Sequence, residues 1–153
     1  MTALTRRTAL WLALASAGVL AACGPPDPPE PTTVALTLTG TAAMNGGAPA
    51  AVRVYYLNAT ANFESGDFFP LFEDPDGTLG QDLAASDRYL LSPGANVQDN
   101  KLFQPATSPA AIGVIAGFRN IDQPGWRAVM PLAQNVPNAV TITLDQNTVT
   151  IGQ

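Results

Sequence analysis

The sequence predicts an all-β domain, a two-sheet antiparallel β-sandwich with a short added helical segment. About seven short segments alternate apolar and polar residues, which is the pattern of strands with one buried face. Turn-forming residues such as Ser92-Pro93-Gly94 separate these segments. One segment, residues 65–72, instead spaces its apolar residues as a helix does. A series of short strands divided by turns is typical of a β-sandwich.

The first two predicted strands flank a loop. Thr33 to Thr39 alternates apolar and hydroxyl residues, and Val52 to Leu57 has a similar alternation. The positions of the first strand expected to face the core are Val34, Leu36 and Leu38. Gly40 to Ala51 is rich in Gly, Ala and Pro, so we expect a loop there.

The predicted helix runs from Ser65 to Phe72. Asp67 is a suitable N-cap, and Pro70 would lie in the first turn, where a missing N–H costs least. Phe68, Leu71 and Phe72 then fall on one side of the helix. We therefore expect this side to cover a sheet edge or an opening of the core.

The remaining strands follow the helix. Ala111 to Phe118 is the most apolar and is predicted to be central. In the next strand, Trp126 is expected inside the sandwich and Arg127 on its outer face. The other predicted segments are Asp87 to Leu91, Val97 to Phe103, Trp126 to Leu132, and a hairpin of Val140 to Leu144 and Val149 to Ile151 around Asp145-Gln146-Asn147.

The N-terminal residues predict a lipoprotein signal peptide over residues 1–22. Arg6 and Arg7 precede an apolar run from Ala9 to Ala22, which is the order of a secretory signal. Leu20-Ala21-Ala22-Cys23 resembles the bacterial lipobox, in which the signal is cut before a lipidated cysteine. The alternatives are an ordinary signal with a chance cysteine, or an uncleaved anchor.

Cys23, the single cysteine, is the predicted lipid anchor. More than one acyl chain makes membrane attachment stable. Gly24 after it, rather than Asp, resembles the sorting pattern of Gram-negative lipoproteins that remain on the periplasmic face of the outer membrane. Residues 23–32 are then the lipidated cysteine and a proline-rich tether. Gly24 to Thr32 would span about 28 Å, because such segments extend by about 3.1 Å per residue. The β-sandwich domain is predicted over residues 33–153.

Composition excludes several kinds of function. Removal of Arg6 and Arg7 would leave a protein two units more negative than the −5 of the whole chain, and such acidity argues against nucleic-acid binding. The sequence has no histidine, and lipidation would remove the single thiol. Glu73 to Gly77 resembles a fragment of a calcium loop without its downstream bidentate acid, so a tight turn is expected instead. We expect no enzyme activity, cofactor or metal.

Several stretches form an ordered series along the chain. They are Cys23-Gly24, Met44 to Gly47, Val52 to Leu57, Phe63 with Asp67-Phe68 and Leu71, Leu91 to Gly94, and Ile112 to Arg119 leading to Trp126-Arg127. Their order and spacing resemble the outer-membrane lipoprotein of the type VI secretion system, the TssJ (SciN) family. The resemblance extends from about Leu20 to the C-terminus.

This resemblance implies a transthyretin-like sandwich with an architectural role. The lipoprotein would hold the periplasmic C-terminal domain of the inner-membrane protein TssM through the loop between the first two strands. That loop is Thr41 to Ala51 in this chain, and it carries no charge. The residues expected to touch the partner are Met44, Asn45, Gly46, Gly47, Ala48 and Pro49. These six residues form the tip of the loop. Shortening the tip is expected to weaken binding to the partner with little effect on the melting temperature of the domain.

The alternative function is a periplasmic lipoprotein that binds a glycan or a small ligand on a similar sandwich. An exposed aromatic platform would favour that function, whereas an exposed neutral loop with buried aromatic residues would favour the scaffold. The aromatic residues in question are Phe63, Phe68, Phe69 and Phe72, which we expect in the core or at the helix contact.

Overall fold

Eight strands form two sheets in the computed structural model, which describes residues 26–153. The strands are β1 (Thr32–Gly40), β2 (Ala50–Leu57), β3 (Leu83–Leu91), β4 (Asn96–Phe103), β5 (Ala111–Gly117), β6 (Arg127–Pro131), β7 (Pro137–Asp145) and β8 (Thr148–Gly152). Three short helices lie between β2 and β3: α1 (Ala61–Ser65), α2 (Phe68–Glu73) and α3 (Pro75–Leu79). The predicted signal peptide and lipid anchor lie outside the described residues.

The predicted two-sheet sandwich is confirmed. One sheet has the order β4-β1-β7-β8, and the other has the order β3-β2-β5-β6. The neighbouring strands run antiparallel except for β1 and β7, which pair in parallel with Thr37 opposite Thr141. The chain crosses from β6 in one sheet to β7 in the other. Strand β7 therefore begins at the end of the sandwich where β1 also begins.

The main core lies between the two sheets. Val34, Leu36 and Leu38 of β1 are buried there, as the alternation predicted. The outer face of β1 carries three hydroxyl residues and one alanine, since successive side chains of a strand point to opposite sides. They are Thr33, Ala35, Thr37 and Thr39. The remaining inward positions on β2, β5 and β7 are also buried, and all of them are apolar except Asn138 at the start of β7.

A second, smaller core lies on the outer face of the β3-β2-β5-β6 sheet, under the helices. Phe63 and Leu71 are fully buried there against Tyr55 and Ile115. The Tyr55 hydroxyl donates a hydrogen bond of 2.6 Å to the Leu71 carbonyl, which fixes α2 to β2. Strand β5 is therefore apolar on both faces, as expected for a strand covered on both sides. Strand β2 is apolar on its inner face and carries Arg53 on its outer face.

The helical segment is longer than the sequence predicted. Helix α2 contains Pro70 in its first turn, as expected, but it begins at Phe68 rather than Ser65, and the Asp67 side chain makes no capping hydrogen bond. Helices α1 and α3 were not predicted. The tight turn expected at Glu73 to Gly77 is wrong, because Asp74 caps α3 instead. Its carboxylate accepts a hydrogen bond of 3.1 Å from the Gly77 N–H, and Pro75 occupies the first helical position.

The expectation that Trp126 lies inside the sandwich is wrong, because Trp126 is only partly buried. It ends a 3₁₀ turn before β6, and its ring meets Phe68 edge-on with centroids 5.2 Å apart. Arg127 does lie on the outer side, and its Nη1 donates hydrogen bonds of 2.9 and 2.8 Å to the carbonyls of Phe63 and Gly66. Arg127 thus ties the helices to the sheet.

Candidate functional site

The tether and the loop after β1 lie at opposite ends of the sandwich. Residues 26–31 are exposed, have no regular structure and lead directly into Thr32 at the start of β1. Strand β1 ends at Gly40, and the loop of residues 41–49 follows. A strand of this length spans about 30 Å at roughly 3.3 Å per residue. The loop therefore lies about one strand length beyond the point where the tether joins the domain.

Four connections meet at this end of the sandwich, which we call the loop end. They are residues 41–49, 92–95, 118–126 and 146–147. The Gly94 N–H donates to the Gly40 carbonyl at 2.9 Å, and the Thr41 N–H donates to the Leu144 carbonyl at 2.9 Å. These bonds join the first loop to its neighbours on two sides.

Met44 lies in the core, not on the surface of the loop. Its side chain is fully buried between the sheets and packs with the main core. Gly40 leaves room for it, because a Cβ at Gly40 would overlap the Met44 sulfur. No periodic pattern in the sequence indicates this burial, since Met44 belongs to a short 3₁₀ turn and not to a strand.

Asn45 is also buried, and both ends of its amide have partners within the chain. Its Nδ2 donates to the Pro49 carbonyl at 2.8 Å, and its Oδ1 accepts from the Arg119 N–H at 2.7 Å. The Asn45 backbone N–H donates to the Gln146 carbonyl at 2.6 Å. Its φ of 50° lies in the left-handed region, which Asn tolerates better than most residues. Asn45 thus links three connections of the loop end.

Three of the six residues predicted to touch a partner are exposed. Gly46, Gly47 and Pro49 face solvent, and both glycines have positive φ with open space where a Cβ would stand. The other three are buried: Met44, Asn45 and Ala48. The partner role of the set stays a prediction. The structure does revise the expected effect of shortening the tip, because removal of Met44 would open the core and lower the melting temperature.

The rest of the loop end is polar. Arg119 is exposed directly beside the loop, and the Thr41 hydroxyl donates to Asp145 Oδ1 at 2.6 Å. A shallow groove of about 330 Å³ separates the β5–β6 connection from the β7–β8 turn. The groove is lined by Gln123, Pro124, Gly125, Gln146, Asn147 and Thr148, none of which carries a charge.

Comparison with known protein families identifies this architecture. The family model of type VI secretion lipoproteins (T6SS-SciN; VasD, EvfM, TssJ) matches residues 32–147. The chain belongs to this family. The match covers every strand except β8 and includes the whole loop end. The predicted resemblance is therefore confirmed.

Solved structures agree with the family. The T6SS lipoprotein TssJ1 from Pseudomonas aeruginosa is 28% identical, with a TM-score of 0.74, over 82% of this chain and 96% of that one. Serratia marcescens Lip, a membrane-bound component of the type VI secretion system, is 26% identical, with a TM-score of 0.69, over 80% and 97%. A chain in the structure described as T6SS protein TssM C-terminal domain (869–1107) from EAEC is 28% identical, with a TM-score of 0.62, over 77% and 98%. The comparison with curated proteins finds no match.

Within residues 26–153 of this type VI secretion lipoprotein, no three or more Cys, His, Asp and Glu side chains come together as metal ligands would. The same part of the chain contains no helix long and apolar enough to span a membrane.

Most aromatic side chains of this lipoprotein are engaged by the fold. Phe63 is fully buried, and Phe68 stacks on Phe72 with centroids 5.1 Å apart. Phe69 is 57% exposed. Four large apolar side chains of residues 26–153 are exposed, and Phe69 is the one that is aromatic. The expectation that aromatic residues serve the core or the helix contact thus holds for Phe63, Phe68 and Phe72, but not for Phe69.

Proposed function

We propose that this chain is a structural lipoprotein of the type VI secretion membrane complex, anchored in the outer membrane, that binds the periplasmic C-terminal domain of TssM. Residues 1–22 are the signal peptide in this proposal, and Cys23 carries the lipid on the periplasmic side. Residues 23–32 are the tether and residues 33–153 the sandwich. The loop tip from Met44 to Pro49 faces TssM. No cofactor, metal, nucleic acid or small-molecule substrate takes part.

The observation that carries this proposal is the position of the loop tip at the end of the sandwich opposite the tether. An N-terminal lipid anchor would leave the tether end towards the membrane and direct Gly46 and Gly47 into the periplasm. The TssM domain named for one of the similar structures supports that protein as the partner. A rigid, exposed tip suits a scaffold, because a preorganised surface loses little conformational entropy on binding.

The exposed part of the tip offers backbone groups and little side-chain chemistry. Gly46 and Gly47 leave peptide N–H and C=O groups accessible, and Pro49 adds a small apolar surface. Such a tip fits a partner that surrounds the turn closely. The glycan-binding alternative has less support, because Phe69 stands alone among residues 26–153 as a largely exposed aromatic ring.

A binding measurement tests this proposal. The full-length lipoprotein, extracted in mild detergent, is titrated with the periplasmic C-terminal domain of TssM from the same bacterium. We expect saturable binding with one site per chain. Ala43, which directly precedes the tip, and Gly46 are both exposed. The double variant Ala43→Trp with Gly46→Asn adds two side chains there, and we expect at least a tenfold loss of affinity.

A matched control adds the same two side chains away from the loop end. Ala84 lies near the start of β3, and Gly152 lies opposite Thr141 in the middle of its sheet. Both residues are exposed, and a Cβ at Gly152 meets open space. Ala84→Trp with Gly152→Asn is expected to bind as the unchanged protein does. Equal losses in the two double variants would show that the tip is not the contact, and absence of binding by the unchanged protein would refute the TssM assignment.

The anchoring part of the proposal has its own test. Cys23→Ser removes the lipid attachment site, so we expect the chain to leave the membrane fraction and type VI secretion to stop. The thermal transition of the domain should not change, because Cys23 precedes β1, which begins the sandwich at Thr32. Normal secretion by a Cys23→Ser strain would contradict the anchoring role.

A further inference from the structure

The loop tip by itself lacks an anchoring side chain. Residues 41–49 carry no charge, and the side chains of Met44 and Asn45 are buried. Protein interfaces usually depend on a few well-placed side chains, among which Arg, Tyr and Trp are enriched. An interface at this end therefore draws its anchor from the neighbouring connections of the loop end.

Arg119 is placed to supply that anchor. Its backbone N–H donates to Asn45 Oδ1 at 2.7 Å, so the residue is fixed beside the tip, and its side chain is exposed. The guanidinium has no hydrogen bond, ion pair or aromatic contact with any of residues 26–153. Its backbone is therefore held in place while its cation stays available to a carboxylate, which guanidinium groups bind strongly and often through two hydrogen bonds.

Three other cations of the described residues are already engaged within the fold. Lys101 pairs with Asp87 at 2.6 Å, and the Arg53 guanidinium lies 4.7 Å from the Phe72 ring centroid. Arg127 donates to two carbonyls under the helices. Arg88 is exposed as Arg119 is, but it lies on the edge strand β3, away from the loop end. Arg119 is therefore distinguished by its place beside the tip.

The groove next to Arg119 supplies neutral hydrogen-bonding groups. Gln123 lies on one wall, and Gln146 and Asn147 lie on the other. The walls approach closely at Gly125, where a Cβ would come 2.6 Å from the Asn147 carbonyl oxygen. The hydrogen bond between the Asn45 N–H and the Gln146 carbonyl joins this groove to the tip. Tip, Arg119 and groove thus form one continuous, mutually braced surface.

We propose that the partner-binding surface is this composite and not the tip alone, with Arg119 as its charged anchor. Arg119 pairs with a carboxylate on the partner, while the amides of Gln123, Gln146 and Asn147 bind an uncharged polar segment next to that carboxylate. The inference rests on the proposed function, since it takes the TssM domain as the partner. It adds that the contacting patch of that domain is acidic beside the tip.

The net charge of the lipoprotein makes the proposed contact depend on Arg119. The sequence is acidic overall, with a net charge of −5. An acidic partner patch would be repelled by most of this surface, so the attraction depends on the local cation. Salt screens such exposed charges beyond a distance of about 8 Å at physiological ionic strength. The contribution of Arg119 to affinity should consequently decrease as salt is added.

The test measures affinity for the TssM domain at low and high salt, with the full-length lipoprotein in detergent. We expect Arg119→Glu to weaken binding at least tenfold at low salt and Arg119→Gln to weaken it less. The difference between unchanged protein and Arg119→Gln should shrink at 0.5 M salt. Arg88→Glu changes the net charge equally and is the matched control, with an expected change below twofold. Thermal unfolding of each variant shows that the fold is kept.

Each other outcome overturns the proposal. Binding of Arg119→Glu equal to that of the unchanged protein would remove Arg119 from the interface. Equal losses in the Arg119→Glu and Arg88→Glu proteins would show a general effect of net charge. In both cases the unchanged protein still binds, so the proposed function survives. Absence of binding by the unchanged protein would refute the proposed function and the composite surface with it.

Discussion

At the scale of single residues, Gly113 decides whether the helices can pack on the sheet. A Cβ at this position of β5 would come 2.7 Å from the Phe63 ring, and Phe63 is fully buried. We expect Gly113→Ala to lower the free energy of unfolding by about 1–3 kcal/mol, because overpacking a filled site forces its neighbours apart. Urea denaturation followed by circular dichroism measures this change.

Gly117 provides the matched control for that substitution. It lies on the same strand, and a Cβ there would meet the Phe72 ring and the Ala51 carbonyl oxygen at 3.5 and 3.6 Å, which are ordinary contact distances. Gly117→Ala should change the unfolding free energy by less than about 0.5 kcal/mol. Equal effects of the two substitutions would show that the Phe63 contact does not restrict the site.

The tyrosines predict how stability depends on alkaline pH. Burial raises the pKa of Tyr55 to about 12, although Arg53 and Arg88 partly oppose this shift. Burial also raises the pKa of Tyr56 and Tyr89 above the usual value for a phenol. The chain contains no other tyrosine. Each folded-state pKa is raised, so the stability is fully present below about pH 10 and is lost as the pH rises through the folded values.

We therefore expect little phenolate absorbance from the folded protein near pH 10. The absorbance should appear at higher pH, together with the loss of the β-sheet circular dichroism signal, because unfolding exposes the rings. The urea-unfolded chain is the reference and should titrate near pH 10. A folded protein that titrates in the same range as this reference would contradict the burial of the hydroxyl groups.

Residues in turns were the hardest to assign from the sequence. The alternation predicted the burial of Val34, Leu36 and Leu38 correctly, since each position repeats the period of a strand. Met44 and Asn45 have no such period around them. Their burial depends on Gly40 and on the distant Arg119 and Gln146, which only the folded chain brings near.

At the scale of elements, the open side of the sandwich between β3 and β4 is closed by polar side chains. The Lys101 ammonium pairs with the Asp87 carboxylate at 2.6 Å and lies 5.1 Å from the Tyr56 ring centroid. The Tyr89 hydroxyl donates to Asp99 at 2.7 Å. These contacts join the edge strands of opposite sheets, where no backbone ladder connects them.

Lys101→Met should consequently weaken the domain. The substitution leaves the Asp87 carboxylate, which is 24% exposed, without its cation, so we expect a loss of about 1–2 kcal/mol in unfolding free energy. Arg88→Met removes an exposed cation from β3 and should cost less than about 0.5 kcal/mol.

A double-mutant cycle with Asp87→Asn then isolates the pair. We expect the combined loss to be smaller than the sum of the two single losses, because removal of both charges leaves neither one unpaired. Additive losses would show that the two charges do not interact across the edge.

Element prediction succeeded where the chain is periodic. The predicted segments account for all eight strands, but the first four residues of β3, Leu83 to Ser86, were missed. Helices α1 and α3 were missed because each has only five residues, too few to show a helical repeat. The cap of α3 was visible as Asp74-Pro75, yet the same residues also favour a turn.

At the scale of the whole molecule, strand periodicity predicted a sandwich but could not predict which strands pair. The parallel pairing of β1 and β7 joins segments about a hundred residues apart, and no local pattern specifies it. The candidate site was predicted through the family resemblance, which identified the loop of residues 41–51. The opposite positions of tether and loop follow from β1 alone, because one strand carries the chain from Thr32 to Gly40.

The distance that the loop tip can reach from the membrane depends on the tether and the sandwich together. The loop tip stands about 30 Å beyond Thr32, as the length of β1 requires. The proline-rich tether adds up to about 28 Å if it is extended. Deletion of residues 26–31 would remove about 19 Å of that reach at roughly 3.1 Å per residue. These residues are exposed and lie outside every strand and helix, so the fold should not change.

We expect this deletion to reduce type VI secretion while membrane attachment and the affinity for the TssM domain in detergent stay unchanged. The reason is that purified partners meet freely, whereas an anchored lipoprotein must span a fixed distance to its partner. An insertion that restores six residues of the same proline-rich composition should restore secretion. If the deletion strain secretes normally, the partner comes within reach of the shortened tether, and the spacing between membrane and loop tip is then not what limits assembly.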